Sequence, residues 1–419
     1  MSLLQIGKQL GKRKHGAAET GRPDGMETGR APGRIYLSCS SEGYGHSSRA
    51  LAITAHLPAE NVLIGTYSYA LDRVRACPGL DPKRNSVEVS QELKFIGTQG
   101  SFDVGQTILQ NPTRALSFNH IIQEEVNIIR QNDISLVVAD GRMAPVLAAS
   151  KLNVPCVVIT NQSAFYPFFE KESELVKLFG WSFEWVMKLW LSSAEEILIP
   201  DFPPPYTVCL PNLSAQYQVK KRTRFVGPLV AWEPDQIQPV VKPSPDRPLV
   251  VACTGGHSYR RPMFDAVIEV AGLLSDIDFI IISPFTVADV PANVRLLDKV
   301  PTAAPYLKAA DAVITQSGHS TAMELLTLGV PCVTIPDTRQ IEQENNAIRM
   351  EALGVARKIA YEDLMIPHQA ILKQAVLEVL NTPDYRNTAR DFAERARLLQ
   401  GARHTARLLQ EYAGRLHAY

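Results

Sequence analysis

Thr315 is followed by Gln316-Ser317-Gly318-His319-Ser320, a turn of small and polar residues that runs into an amphipathic segment carrying Glu324. A glycine turn that opens a helix aims free backbone N–H groups and the positive end of the helix dipole at whatever lies above it, which suits a phosphate. Glu324 stands four residues after Ser320 and three after Thr321, so its carboxylate faces the same helix mouth. There it can accept from ribose hydroxyls. The alternative is a capping box, Thr321-x-x-Glu324, which satisfies backbone donors and needs no ligand. Further along, Pro336 precedes a polar run with Glu342, Gln343 and Asn346. At the carboxyl edge of a parallel sheet, where such folds bind ligands, these acids and amides can hold sugar hydroxyls.

The elements that must position these groups follow from the hydrophobic pattern. An apolar run, Ala312 to Thr315, leads through the turn to an amphipathic segment stopped by Gly329, and Cys332 to Ile335 is a second apolar run. The order strand, turn, helix, strand is half of a doubly wound unit. Earlier, Arg34 to Cys39 reads as a strand, Ser40 to His46 as a glycine turn and Ser47 to His56 as a helix, while the strand Ile134 to Ala139 ends in Asp140. An imidazole, with an unperturbed pKa near ~6.5, is matched to general-base work at neutral pH, and a carboxylate holding one ring nitrogen frees the other to accept a proton. His46 and Asp140 are therefore the candidate catalytic pair. The competing reading is that each only caps the segment after it. The first turn does not fit the dinucleotide fingerprint, because Ser48 takes the third glycine position and the strand Asn61 to Thr66 ends without an acid, which argues against NAD.

At Ser317-Gly318-His319-Ser320 with Glu324, at Gly329-Val330-Pro331 and at Glu342-Gln343 with Asn346-Ala347, the chain resembles the nucleotide-sugar glycosyltransferases of the GT-B fold. The similarity is to the donor signature of the UDP-glycosyltransferases and of the bacterial cell-wall N-acetylglucosaminyltransferases. Gln316 stands where many members carry a phosphate-contacting His, and Glu342 replaces the usual Asp before Gln343. The turn at Gly43 to His46 resembles the start of the acceptor domain, and His46-Ser47-Ser48-Arg49 matches the Gly-His-x-x-Arg shared with UDP-sugar hydrolases. The resemblance implies two facing Rossmann-like α/β domains with a C-terminal crossover helix, and an inverting, metal-independent transfer from a UDP-sugar, a co-substrate, with no cofactor. It places the base and its supporting acid at His46 and Asp140. It implies donor contacts at Thr254, Gly255, Gly256, Arg260, Val300, Ser317, Gly318, His319, Ser320, Glu324, Glu342, Gln343 and Asn346. No D-x-D motif offers the usual site for a metal-bridged diphosphate, so its charge falls to the helix mouths and to Arg260.

A chain of 419 residues is too long for one ordinary core, so two domains are expected. Proline density rises at Pro203 to Pro205 and from Pro228 to Pro248, which marks a linker. The expected organisation is a disordered tail over 1–33, an acceptor-binding half over 34–215, a linker over 216–248, a UDP-sugar-binding half over 249–385 and a helix packing back across both over 386–419. Hydrophobic content of 45%, charged content of 21% and a formal net charge of zero describe a soluble globular protein and argue against a nucleic-acid partner. Six cysteines without a C-x-x-C pair read as reduced core residues. No apolar stretch approaches the ~20 residues that span a bilayer, and the N-terminus lacks a secretory apolar region, so a cytoplasmic protein is expected.

The aromatic segment Phe165 to Leu191 reads first as one or two helices packed on the sheet; a lipid-acceptor face or a peripheral contact with the inner face of the membrane is the alternative. Gln91 to Phe118 reads as a long functional loop. Rival functions are a UDP-sugar hydrolase, an epimerase on the same fold and a noncatalytic sugar-nucleotide-binding protein. The sugar, the acceptor and the oligomeric state are left open by the residues.

Overall fold

Thirteen segments, most of them apolar runs, become strands of two parallel sheets in a computed structural model of the chain, which describes residues 33–92, 97–98, 101–102, 112–170, 173–213, 222–255, 258–298 and 300–415. The first sheet contains β1 (Arg34–Cys39), β2 (Val62–Thr66), β3 (Ser86–Glu88), β4 (Ile134–Asp140), β5 (Cys156–Ile159), β6 (Glu196–Ile199) and β7 (Thr223–Phe225), in the order β3-β2-β1-β4-β5-β6-β7. The second contains β8 (Leu249–Cys253), β9 (Asp278–Ile282), β10 (Val294–Leu297), β11 (Ala312–Thr315), β12 (Cys332–Thr334) and β13 (Ala356–Lys358), in the order β10-β9-β8-β11-β12-β13. Both orders reverse direction once, at β1/β4 and at β8/β11. A crevice opens at such a reversal, outside the carboxyl ends of the strands, and it is where open α/β sheets bind ligands.

The strands are apolar on both faces because helices cover both faces. In β1, Ile35, Leu37 and Cys39 join one core layer while Tyr36 joins the other; in β8, Leu249 and Val251 face one layer and Val250 and Ala252 the opposite one. Parallel register carries Cys39 beside Asp140 at the top of the first sheet.

Two stretches depart from the expected organisation. Thr223–Phe225, inside the stretch read as a linker, pairs with β6 as the outermost strand of the first sheet; a three-residue edge strand has too little periodicity to be seen beside so many prolines. The terminal segment is two helices, Pro383–Leu399 and Gly401–Arg415, separated at Gln400 with φ 47°. Phe392 and Ala396 of the former pack in the second half, whereas Ala402, Ala406, Leu409 and Ala413 of the latter cover a face of the first sheet. The crossover is thus made by the last helix alone. The expected tail, apart from residue 33, and most of the expected loop 91–118 lie outside the described residues, and helix Pro112–Gln131 begins before Phe118.

The aromatic segment forms a short turn of helix, Tyr166–Phe169, and a long helix, Glu174–Ser192. Trp190 and Leu191 are buried in the core as expected, but Leu178, Phe179, Trp181 and Trp185 are exposed. Among the described residues no helix is long and apolar enough to cross a membrane. All six cysteines are free, and Cys39, Cys156, Cys209 and Cys332 are buried.

Candidate active site

His46 lies in the first turn of α1 (Tyr44–Thr54), which follows β1, and Asp140 is the last residue of the neighbouring β4. The switch point therefore brings together two residues far apart in sequence. His46 Nδ1 is 2.7 Å from Asp140 Oδ1. Arg49, one helical turn beyond His46, is buried and grips the same carboxylate through Nε at 2.8 Å and a terminal nitrogen at 2.7 Å. That terminal nitrogen also lies 2.9 Å from His46 Nδ1. The ionised Asp140 carboxylate can only accept, so the arrangement consistent with this contact has Nδ1–H donating to Asp140 and leaves Nε2 with its lone pair. Burial would raise the Asp140 pKa, but Arg49 and His46 outweigh it and hold the carboxyl well below its ordinary range.

Gly141 follows at φ +71°, and a Cβ there would fall 2.6 Å from His46 Cε1. The imidazole thus rests against bare backbone that only glycine supplies without strain. Below the pair, Arg142 is completely buried between Glu92 at 3.2 Å and Glu125 at 2.8 Å, and Glu125 also accepts from Tyr36 at 2.8 Å. This fixes the loop after β4.

In the second half, α4 (His319–Leu328) starts at Gly318, where no side chain among the described residues caps it, and ends at Gly329, φ 72°. Its first-turn N–H groups have no intrahelical acceptor. The helix begins at His319, so Thr321 sits inside it and the capping box Thr321-x-x-Glu324 is not formed. Glu324 is half-buried, and burial pushes its pKa up to about 7 against the opposing charge of Arg73. The two helix mouths meet: a Cβ on Gly45 would lie 2.5 Å from Ser320 Oγ, and Arg49 reaches Ser320 Oγ at 3.5 Å.

The remaining expected residues are divided between the cleft and its supports. Arg260 lies against Gly255 (φ +67°), anchored by Asp337 at 2.5 Å, and Gln343 braces Asp337 by accepting from its backbone N–H at 2.9 Å. Thr254 is buried and donates to Ser283 Oγ at 2.7 Å, away from the turn it belongs to. Val300 is half-buried on the loop after β10; Gly256 lies outside the described residues. Ser317 adopts φ 62°, a conformation costly for a residue other than glycine, and donates to the Gln343 carbonyl at 2.8 Å. Asn346 is buried, donating to the Ser317 carbonyl at 3.1 Å and accepting from Asn212 at 2.9 Å. Gln316 points its amide at Met263 Sδ, 3.1 Å away.

His319 turns from the helix mouth and donates through Nε2 to Asp201 at 3.1 Å. Asp201, Cys209 and His319 are the one group among the described residues with metal-ligand spacing. Asp201 already accepts from the N–H groups of Phe202 at 2.7 Å, Val208 at 3.2 Å and Cys209 at 2.7 Å, and burial pushes the Cys209 thiol well up. The cluster is a hydrogen-bonded latch between the halves.

Sequence reasoning named Arg49 only as part of the His46-Ser47-Ser48-Arg49 motif, without a role at the site, and missed Asp337, Asn161 and Asn212. Arg49 carried a signal, since His46 and Arg49 at i and i+3 share one helix face. Asp337 meets Arg260 within the second half, whereas Asn161 and Asn212 find their partners only when the halves meet: Asn161 donates to Glu342 Oε1 at 2.9 Å across the cleft.

Comparison with known proteins identifies the fold and the family. Residues 33–205 match the family model "Glycosyl transferase family 1" and residues 283–402 match "Glycosyltransferase family 28 C-terminal domain". An uncharacterized glycosyltransferase of Methanosarcina mazei is 32% identical over 392 residues, 91% of this chain and 99% of that protein. The calicheamicin glycosyltransferase CalG4 superposes with TM-score 0.69 at 19% identity over 92% of this chain and 99% of that one. Spinosyn rhamnosyltransferase SpnG, solved with thymidine diphosphate, gives TM-score 0.59 at 15% identity, covering 90% of this chain and 100% of its own. The architecture is the GT-B fold, and with this identity sustained along nearly its whole length the chain belongs to the glycosyltransferases and is an enzyme of that class.

Proposed function

We propose that the protein transfers a sugar from a UDP-sugar to an acceptor hydroxyl with inversion and without a metal. The observation that carries this reading is the pairing of switch points: His46 and Asp140 at one, the uncapped mouth of α4 at the other, meeting at Gly45 and Ser320. In this reading the acceptor O–H gives its proton to His46 Nε2 as its oxygen attacks the anomeric carbon. The bond from that carbon to the diphosphate breaks with its electron pair, and UDP leaves. Asp140 and Arg49 keep the imidazole in the required tautomer. The first-turn N–H groups of α4 and the Arg260 guanidinium beside Gly255 receive the diphosphate charge, which supports transfer without a metal. Glu324, half-buried and facing the cleft mouth, takes the ribose hydroxyls; Glu342 takes those of the sugar.

The test is nucleotide release across a panel of UDP- and TDP-sugars, with and without a set of acceptor alcohols. Acceptor-dependent release of UDP, with a product of inverted anomeric configuration by NMR, is expected. Equal release of free sugar without acceptor would assign a hydrolase, and preference for TDP-sugars would overturn the donor.

A further inference from the structure

Glu342 leaves the first turn of α5 (Ile341–Ala352) toward the other half of the molecule. Its Oε1 accepts from Asn161 Nδ2 at 2.9 Å. Asn161 lies just past β5, at the carboxyl edge of the first sheet, and is 8% exposed. The contact belongs to a continuous polar network. Asn212, 1% exposed, donates to Asn346 Oδ1 at 2.9 Å and accepts from Asn345 Nδ2 at 2.8 Å. Its backbone carbonyl accepts from the N–H groups of Ser163 at 2.9 Å and Ala164 at 3.0 Å, on the loop that carries Asn161. From α5 the network continues to the mouth of α4 through Asn346 and the Ser317 carbonyl at 3.1 Å.

We infer that Asn161 is a positioning residue for donor-sugar selection: it holds one carboxylate oxygen of Glu342 and leaves the other to read a sugar hydroxyl. The inference rests on the reading of Glu342 as a donor contact. Its physical basis is that a carboxylate with one oxygen fixed by a buried amide cannot swing to meet a hydroxyl of the wrong configuration. A free carboxylate on a two-carbon stem can. The length of the side chain matters, because an aspartate at this position would be one methylene short of Asn161. Sugar selection is then shared by two residues, one from each half, and is complete only when the halves are together.

The test uses the full-length protein with its preferred nucleotide sugar and a second one epimeric at a single hydroxyl. The variants are Asn161→Ala, Glu342→Asp, their combination, and Glu342→Ala. For Asn161→Ala, loss of one hydrogen bond to a charged group is expected to cut the ratio of kcat/KM between the two epimers about tenfold. Most of that loss should fall on the KM of the preferred sugar, and UDP alone should bind as to wild type. Glu342→Asp should behave like Asn161→Ala, and the double variant should be no worse than either single one, since both remove the same contact. Thermal unfolding of each variant separates this effect from a general weakening of the interface, which would lower Tm without changing the epimer ratio. An unchanged ratio in Asn161→Ala, or additive effects in the double variant, overturns the inference. If Glu342→Ala also keeps the wild-type ratio and KM, the donor role of Glu342 itself is wrong, and the inference falls with it.

Discussion

The two halves bring one carboxylate each to their switch points and treat them in opposite ways. Asp140 is buried and fully engaged, by Arg49 on both oxygens and by His46 on one, and its pKa is held down. Glu324 is half-buried and makes no ion pair among the described residues, and burial pushes its pKa up to about 7. A paired carboxylate is a fixed part that orients something else. An unpaired one at a helix mouth is a group whose partner arrives from outside, and until then its ionised form costs the fold stability. The first half is thus built around side chains already assembled, and the second, in the proposed reading, around donors and an acceptor held open for the nucleotide sugar.

The largest effect should come from breaking the assembled side. Asp140→Ala leaves the Arg49 guanidinium buried without its counter-ion, which typically costs about 3–5 kcal/mol; denaturant unfolding at neutral pH measures it. The sign with pH follows from the direction of the shift. A carboxyl whose folded pKa is depressed contributes stability that is complete above its unfolded value of 3.8 and is lost as pH falls toward the folded one. The gap between wild type and Asp140→Ala should therefore narrow below pH 3.8. A gap that stays constant down to the acid transition would mean that the pairing energy has been misread.

Next in size is the chemistry. His46→Ala should lower kcat by about 100-fold or more with donor affinity nearly unchanged, the scale on which a general base contributes. Asp140→Asn should lower it less, because the imidazole survives while its orientation weakens. Wild-type turnover in His46→Ala, measured with the true acceptor, would reduce the assembled side to a structural motif and end the comparison.

On the open side, Glu324→Ala should weaken UDP binding by about 1–3 kcal/mol, the worth of hydrogen bonds to a charged group. Titration calorimetry reads it directly. The alternative that Glu324 merely caps its own helix predicted a loss of stability instead, and the helix start at His319 has already removed that geometry.

How much of this could be read from residues alone depends on the range of the interactions. The unit from Ala312 to Thr334 was legible because each signal in it is local: an apolar run, a small-residue turn, a 3.6-residue period and Gly329 as the stop. β1 has the expected bounds for the same reason. His46 and Asp140 were candidates from imidazole chemistry, their places after strands and the resemblance, but the physical cause of their pairing, adjacent strand ends at a reversal of sheet order, is visible only in the topology. The contacts of Arg49 with Asp140, Asp337 with Arg260, Asn212 with Asn346 and Asn161 with Glu342 join residues 77 to 181 apart in sequence. No period or spacing encodes such pairs. The single long C-terminal helix was misjudged because its pattern continues through Gln400, and only the left-handed turn there divides it.

The smallest predicted effect is the one that distinguishes the two carboxylates most directly. Glu324 has its folded pKa raised to about 7 from 4.5, so the sign is the reverse of that for Asp140. Its contribution favours the folded state fully below pH 4.5, fades as pH rises through about 7, and is absent above that. Glu324→Gln removes the charge and keeps the shape. At pH 8 it should therefore stabilise the ligand-free protein, by about 1–2 kcal/mol once the solvent-facing edge of the side chain is allowed for, while at pH 4.5 it should change little. The same substitution should weaken UDP binding, because an amide offers the ribose one acceptor where a carboxylate offers two. Stability gained and affinity lost in one variant is the signature of a group kept unpaired for a ligand. Thermal unfolding at both pH values, with and without UDP, measures both. A Glu324→Gln protein less stable than wild type at pH 8 would show that Glu324 is satisfied within the fold, like its counterpart Asp140.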